Sequence, residues 1–381
     1  MPNTLEAVMP KILSQGLLAL RGQTILPSIV NTDFDTEVAQ KGDTINVPIP
    51  SAVTASAVTP AETPPAGSGV TPTTAPIKLD QWFDAGFYMT DKDMAEVSRG
   101  IIPMQVSEAV KALAEKLNAT LFDTYHLIYG AAGAAATTPF GSNYSEATAA
   151  RKLLNKQKAP SSDRRIVLDP DAEENAINLK EFADSSFTSE GGVILNGVIG
   201  RKLGFDWFYD QQVPTHVAGT PGGTPVVKDG GGALVVGADE VVVDGLTATT
   251  GDYHKGDIIT FAGHAQQYAV KEDATASGAG EVTIKIEPGL VAVPADGEAV
   301  SLVASHAVNL AFHRDAFALA VRPLEAEGNG LGNLVMTATD PETRLPLRLE
   351  VSREHKRTKW SFDILWGVAL VRPALATRIL G

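Results

Sequence analysis

Two histidines, His254 and His264, stand in the stretch GDYHKGDIITFAGHAQQYAV at 251–270. Paired imidazoles can begin a metal site or an active-site loop, but zinc takes three or four protein ligands. No third ligand follows at a usual spacing, so turn or surface histidines are the better reading. The acids Asp169, Asp171, Glu173 and Glu174 in RRIVLDPDAEENAINL could likewise hold a metal or move a proton. They also suit a helix start, with Asp169 as N-cap, Pro170 as first residue and carboxylates near the positive end of the dipole. His313-Arg314-Asp315 has the letters of a kinase catalytic loop, but no Asn follows at the required offset and no DFG exists. GNGLGN at 328–333 lacks the strand-then-helix context of a phosphate cradle. G-x-S-x-G, H-E-x-x-H and Walker patterns are absent, and with no cysteine the chain has no thiolate chemistry or disulfides. No enzyme, metal or cofactor is expected.

What must be positioned, then, is surface rather than a reaction centre. The 381 residues suffice for two or three domains. Apolar residues make up 44%, and 35 Gly with 23 Pro predict many turns and much strand. A net charge of −14 argues against broad DNA binding, which calls for a basic surplus. No apolar run reaches the roughly 18–20 residues of a membrane helix. MPNTLEAVMPKILSQG lacks the basic start and continuous apolar core of a signal peptide, so use in a cytoplasm is expected.

Leu5, Val8, Met9, Ile12, Leu13 and Leu17 have helical spacing, interrupted by Pro10, and could pack on the chain's own core or on a neighbour. Ile45, Val47 and Ile49 alternate as a strand, and Ile77, Leu79, Phe83, Ala85, Phe87 and Met89 do so again. Between them, residues 50–76 carry one charge, Glu62, and the apolar Val53, Val58 and Val70. A loop that long is usually functional or disordered, and this one is too apolar for a plain linker; a hairpin arm lying on a neighbour fits. Residues 99–130 predict a continuous helix about 40 Å long, with Val106, Val110, Leu113, Leu117, Leu121, Tyr125 and Ile128 on one face. A second helix is expected over 145–157, capped by Ser145, and a long strand over NLAFHRDAFALAVRPL.

Residues 216–305 differ in character. Four Lys/Arg stand against twelve Asp/Glu, a net of −8 out of the chain's −14. LVVG, EVVVDG, DIITFAG, QQYAV, EVTIKIEP and AVSLVA recur between turn residues, which predicts a small β-barrel or sandwich inserted into another domain. Residues 342–381 carry the opposite balance, eight basic against four acidic, with Arg353, Lys356, Arg357 and Lys359 in REHKRTKW.

The phrases KGDTINVPIP, LDQWFDAGFYMTDKDM, NGVIGRKLGFDWFYD and FHRDAFALAVRP, in that order, resemble tailed-phage major capsid proteins of the Hong-Kong-97-type fold. TATTGDYHKGDIITFAG, GEVTIKIEPGLVAV and LWGVALVRPALA are similar to the short-tailed-phage coat proteins with an inserted β-domain. The resemblance covers about 5–375 and implies an α+β fold. Its parts would be an N-terminal arm (1–35), an E-loop hairpin with flanking strands (36–94) and the spine helix of the peripheral domain (95–134). An axial domain in two parts (135–215 and 306–340) would surround the inserted β-barrel (216–305), with C-terminal strands at 341–381. It further implies a shell of pentamers and hexamers of this chain, a separate scaffolding protein, a portal, a possible decoration protein and packaged double-stranded DNA. Location would be the virion, after assembly in the host cytoplasm, with no membrane and no catalytic site. Val53, Val58, Glu62, Val70, Arg353, Lys356, Arg357 and Lys359 are the proposed contacts between subunits; the basic four could instead line the interior. An encapsulin-like nanocompartment shares the fold, and an enzyme-associated carbohydrate-binding module is the rival from another class.

Overall fold

A computed structural model describes residues 12–14, 16–17, 25–33, 44–49, 73–92, 101–183, 197–230, 232, 234–322, 324, 333–339 and 345–381. The chain divides into two compact units. One comprises Met1–Arg21, Asn31–Leu113 and Ala318–Val371; the other comprises Gly22–Val30, Ala114–Phe317 and Arg372–Gly381.

In the first unit, Thr44–Ile49 and Thr73–Lys78 pair antiparallel from Thr44↔Lys78 to Ile49↔Thr73. The strands expected on either side of the long loop therefore form one hairpin, in register. Alternation turns Ile45, Val47 and Ile77 inward, where with Leu79 they pack against Ala318, Ala320 and Val371. A five-stranded sheet carries the rest of the unit. Arg357–Leu370 is its centre, flanked by Pro346–Glu354, Phe317–Arg322 and Gln81–Thr90, with Asn333–Thr339 on Pro346–Glu354. Phe83 stacks on Trp366 and Phe87 on Trp360, at 5.2 and 6.4 Å between ring centroids. Ile12 and Leu13 are buried, so this part of the N-terminal apolar stripe packs on its own subunit.

The long helix is Ile101–Phe122, and it buries Val106, Val110, Leu113, Leu117 and Leu121 as the spacing predicts. It is shorter than expected: Asp123–Leu127 tightens to a 3₁₀ turn. The Thr124 hydroxyl donates to the Leu121 carbonyl and the Ile128 N–H to that of Tyr125, which draws the backbone out of the α ladder. Tyr125 and Ile128 still extend the buried face.

The second unit holds a seven-stranded mixed sheet, in the order Ala131–Ala132, Ala376–Leu380, His306–His313, Arg164–Leu168, Phe205–Tyr209, Arg201–Lys202, with Thr215–His216 also on His306–His313. Two expectations need correction here. The helix Ser145–Lys156 begins one residue after its cap, Tyr144, and the oxygen that serves its first turn is Oδ1 of Asn143, accepting from the Ser145 N–H at 2.8 Å. NLAFHRDAFALAVRPL is two strands rather than one. His313 Nδ1 accepts the Asp315 N–H, closing a 3₁₀ turn at Arg314–Ala316 between His306–His313 and Phe317–Arg322.

The same unit contains a six-stranded antiparallel sheet in the order Val300–Leu302, Ile258–Phe261, Gln267–Val270, Val282–Glu287, Glu240–Asp244, Val226–Val227. Its outer strands are joined as well, by Val227 N–H to Glu298 O (2.8 Å) and Val300 N–H to Pro225 O (2.9 Å). LVVG at 234–237 is a turn, not a strand: Ala238 N–H closes on Val235 O, and Val235 and Val236 are exposed. The core of this sheet, with Tyr253, Ile259, Phe261, Tyr268, Ile284 and Ile286 at its centre, is drawn wholly from residues 227–300. A core that closes on itself does not need the rest of the chain. Residues 216–305 expressed alone should therefore give dispersed amide resonances; a collapsed spectrum would count against self-sufficiency.

Candidate functional site

Pro346–Glu354 and Arg357–Leu370 meet at a two-residue turn in which Lys356 adopts φ 57. This tip gathers the four basic residues singled out in the sequence, but their situations differ. Arg353 is bidentate to Asp91 at 2.5 and 2.6 Å, and this guanidinium hydrogen bond holds the Asp91 carboxyl below its usual range. Arg357 pairs with Glu354 and lies 4.5 Å from the centroid of the half-exposed Tyr88 ring, where cation–π attraction adds to the ion pair. Lys356 and Lys359 form no ion pair among the described residues; Lys359 Nζ stands 5.9 Å from the centroid of the same Tyr88 ring. Val53, Val58, Glu62 and Val70 lie outside the described residues.

Deeper in the same sheet, Arg348 Nε and Nη2 hold Asp363 at 2.8 and 2.5 Å, and the Trp82 indole N–H donates to the same carboxylate at 2.7 Å. Antiparallel pairing sets Arg348 opposite Asp363, so the register makes the ion pair. In the second unit, an open apolar groove runs past Leu168, Ile177, Val198 and Trp207, and burial raises the Glu173 carboxyl along it.

The motifs with chemical letters are structural. His254 bonds the Val217 carbonyl (3.0 Å) and Asp252 (3.1 Å), and the carbonyl contact raises its basicity. His264 lies 3.5 Å from Glu298. Among the described residues no group of three or more His, Asp or Glu is placed to hold a metal. Asp169 does occupy the N-cap, yet its side chain makes no capping bond; its N–H is taken by Asn309 Oδ1 at 2.6 Å. GNGLGN falls outside the described residues except Asn333, which begins a strand.

Sequence reasoning missed a buried cluster in the second unit. Arg378, with no exposed surface, donates to the carbonyls of Gly256 (2.6 Å), Tyr125 (3.0 Å) and His126 (3.2 Å). Asp257, also fully buried, accepts from His216 Nε2 (2.8 Å) and the N–H of His254 (2.7 Å) and Gly219. The Tyr125 hydroxyl bonds His216 Nδ1 at 2.9 Å. Gly256, at φ +94, leaves room for His126: a Cβ would stand 2.6 Å from its Nδ1. Only a short alternation of polar letters within strands marks Arg378 in the sequence, which does not distinguish it from a solvated residue.

Residues 71–277 match the family model described as phage capsid protein, more than half of the chain. The chain belongs to the phage capsid protein family. Its fold is also that of solved phage capsids. Over 94% of this capsid protein and 91% of the other chain it superposes on a structure from Mycobacterium phage Che8, with TM-score 0.53 and 13% identity. Against the capsid of cyanophage P-SCSP1u the values are 94%, 88%, 0.52 and 13%. No curated protein matches the sequence. The Hong-Kong-97-type α+β fold expected from the sequence is thus the fold of this capsid protein, and neither the nanocompartment nor the carbohydrate-binding reading is favoured.

Proposed function

We propose that this chain is the major shell subunit of a tailed bacteriophage, assembling with itself into pentamers and hexamers of an icosahedral capsid around double-stranded DNA. The observation that carries this reading is the match of 71–277 to the phage capsid family. The paired hairpin Thr44–Ile49/Thr73–Lys78 supports it, because 50–72, the segment this reading gives to a neighbour, joins two strands that are already paired within the subunit. On the same reading 1–35 is the N-terminal arm, 36–94 the E-loop region, 95–134 the spine helix, 135–215 with 306–340 the axial domain, and 341–381 the C-terminal strands. Residues 216–305 are an inserted β-barrel, supported by the bonds that join the outer strands of the six-stranded sheet. A scaffolding protein, a portal and a decoration protein are the expected partners, and assembly takes place in the host cytoplasm, without an enzymatic step or a cofactor.

Electron microscopy of the subunit co-expressed with its scaffold tests the shell directly; monomers or dimers under all conditions would overturn it. The hairpin tip supplies a sharper arm. Arg353 and Arg357 already have carboxylate partners in their own subunit, so Lys356 and Lys359 are the cleaner probes. Changing both to Glu should leave the fold intact and block assembly where the tip is a contact between subunits, because the substitution reverses its charge. Empty shells that package DNA poorly would make them interior lining instead. Normal shells with normal packaging would rule out both roles.

A further inference from the structure

Among the described residues, a small apolar cluster lies at the joint between the two sheets of the second unit. The hydrophobic cluster at the joint comprises Ala131, Ile258 and Leu380, with Val303 partly buried beside them. Polar groups also join the two sheets. Gln267 of the six-stranded sheet exchanges bonds with the Ala131 backbone of the other, at 2.7 and 3.2 Å. Arg378, on the strand Ala376–Leu380 between Ala131–Ala132 and His306–His313, reaches Gly256 in the loop before Ile258–Phe261. His216, paired to the strand His306–His313, holds Asp257 in the same loop.

Two further histidines stand at this joint with buried ring nitrogens that have no hydrogen-bond partner among the described residues: Nδ1 of His126 and Nε2 of His306. His306 Nδ1 is bonded to the Ala304 carbonyl at 2.8 Å, so that nitrogen carries the proton and Nε2 is the bare one. A bare, buried ring nitrogen is the natural site for a second proton. The charge already present makes such a proton costly. Arg378 is a fully buried cation, and Asp257 is its only fully buried carboxylate counterpart in the cluster.

We propose that this cluster is an acid-operated clasp between the six-stranded and seven-stranded sheets, closed while His126 and His306 are neutral and released when they take up protons beside Arg378. Every packed element contributes charge to the balance. Tyr125, His126 and Asp123 come from the helix end, His216 and His306 from neighbouring strands, Lys255, Asp257 and Asp273 from loops of the six-stranded sheet, and Arg378 from the strand Ala376–Leu380. Burial, with Lys255, Arg378 and His216 nearby, pulls His126 down to about 4; burial and then Arg378 and His216 do the same to His306, against the Ala304 carbonyl and Asp257.

The sign follows from linkage. Both values lie below the ordinary 6.5, so the released state binds more protons between about 4 and 6.5. Closure is therefore fully favoured above 6.5 and is lost as pH falls toward 4. At pH 5 each histidine shifts the open–closed ratio by about 20-fold relative to neutral pH. His254 works in the opposite sense, since its carbonyl bond raises it, and its 40% exposure mutes the effect.

Hydrogen exchange of the full chain at pH 7.5 and pH 5, corrected for intrinsic rates, reads the clasp. In the wild type the amides of Gly219 and His254, which bond Asp257 at the joint, should lose protection at pH 5. Those inside Val282–Glu287 should keep theirs. His306→Asn retains a donor near the Nδ1 position and cannot take a proton at Nε2, so H306N, and more so H126N/H306N, should hold protection at pH 5. H254N should not. Unchanged wild-type protection at the joint overturns the proposal without any variant, and so does a double variant that opens in acid like the wild type. Loss of protection throughout Val282–Glu287 at the same pH would also overturn it, because acid would then unfold the sheet rather than release it.

Discussion

A capsid protein in which residues 51–71 are replaced by Asn-Gly should fold as a subunit and form no shells. The boundaries follow from the pairing. Thr73 is already opposite Ile49, so a cut reaching residue 75 would remove part of a strand, whereas Asn-Gly closes the two ends as a tight hairpin turn. The hairpin keeps its own core, because Ile45, Val47, Ile77 and Leu79 lie outside the deletion. What is lost is Val53, Val58, Glu62 and Val70. If these valines lie on a neighbour, each contributes about 1.5–3 kcal/mol per contact. Repeated at every subunit of a shell, a loss of that size is decisive. Analytical ultracentrifugation and microscopy with scaffold present would measure the loss, and circular dichroism would show whether the subunit remains folded. Shells of normal size and yield would remove the arm from the assembly mechanism.

Arg378→Met should be the most damaging single substitution in the second unit, at about 3–5 kcal/mol, the range for removing one partner from a buried charge cluster. Methionine fills much of the volume but donates nothing. The carbonyls of Gly256, Tyr125 and His126 lose their donor together, the face of the Tyr125 ring loses the guanidinium 4.9 Å from its centroid, and Asp257 loses its buried cation. Burial pulls the Arg378 guanidinium down to about 9, so it is still charged at neutral pH. Urea unfolding of the variant against Arg201→Met, a change at a mostly exposed arginine whose Asp206 contact is 3.8 Å, isolates the effect. Arg201→Met should fall within about 0.5 kcal/mol of wild type. Equal midpoints for the two variants would mean that the cluster stabilises nothing.

Local physics wrote much of this protein into its sequence. A 3.6-residue stripe from Val106 to Ile128 can be satisfied only by a helix with one buried face, and that face is buried. Alternation in Ile45-Val47 and Leu347-Leu349-Val351 dictates strands. The absence of cysteine and of any ligand spacing directed attention to surfaces, and the collinear phrases named the family. Errors fell where a single side chain diverts the backbone: His313 closing a turn inside an apolar run, Thr124 tightening a helix end, and Val235 in a turn that only its backbone bonds reveal.

The assembly of distant groups was left to tertiary structure. Arg348 and Asp363 are letters fifteen apart until a hairpin register sets them opposite each other. Arg353 and Arg357 read like Lys356 and Lys359 in REHKRTKW, yet Asp91 and Glu354 claim the first two, while the others form no ion pair among the described residues. Tyr125, His216, Asp257, His306 and Arg378 carry no shared spacing at all. They meet because a helix end, three strands and a glycine-cleared loop converge. Burial there turns ordinary polar residues into a coupled cluster, since a charge removed from water must find its partners within the fold.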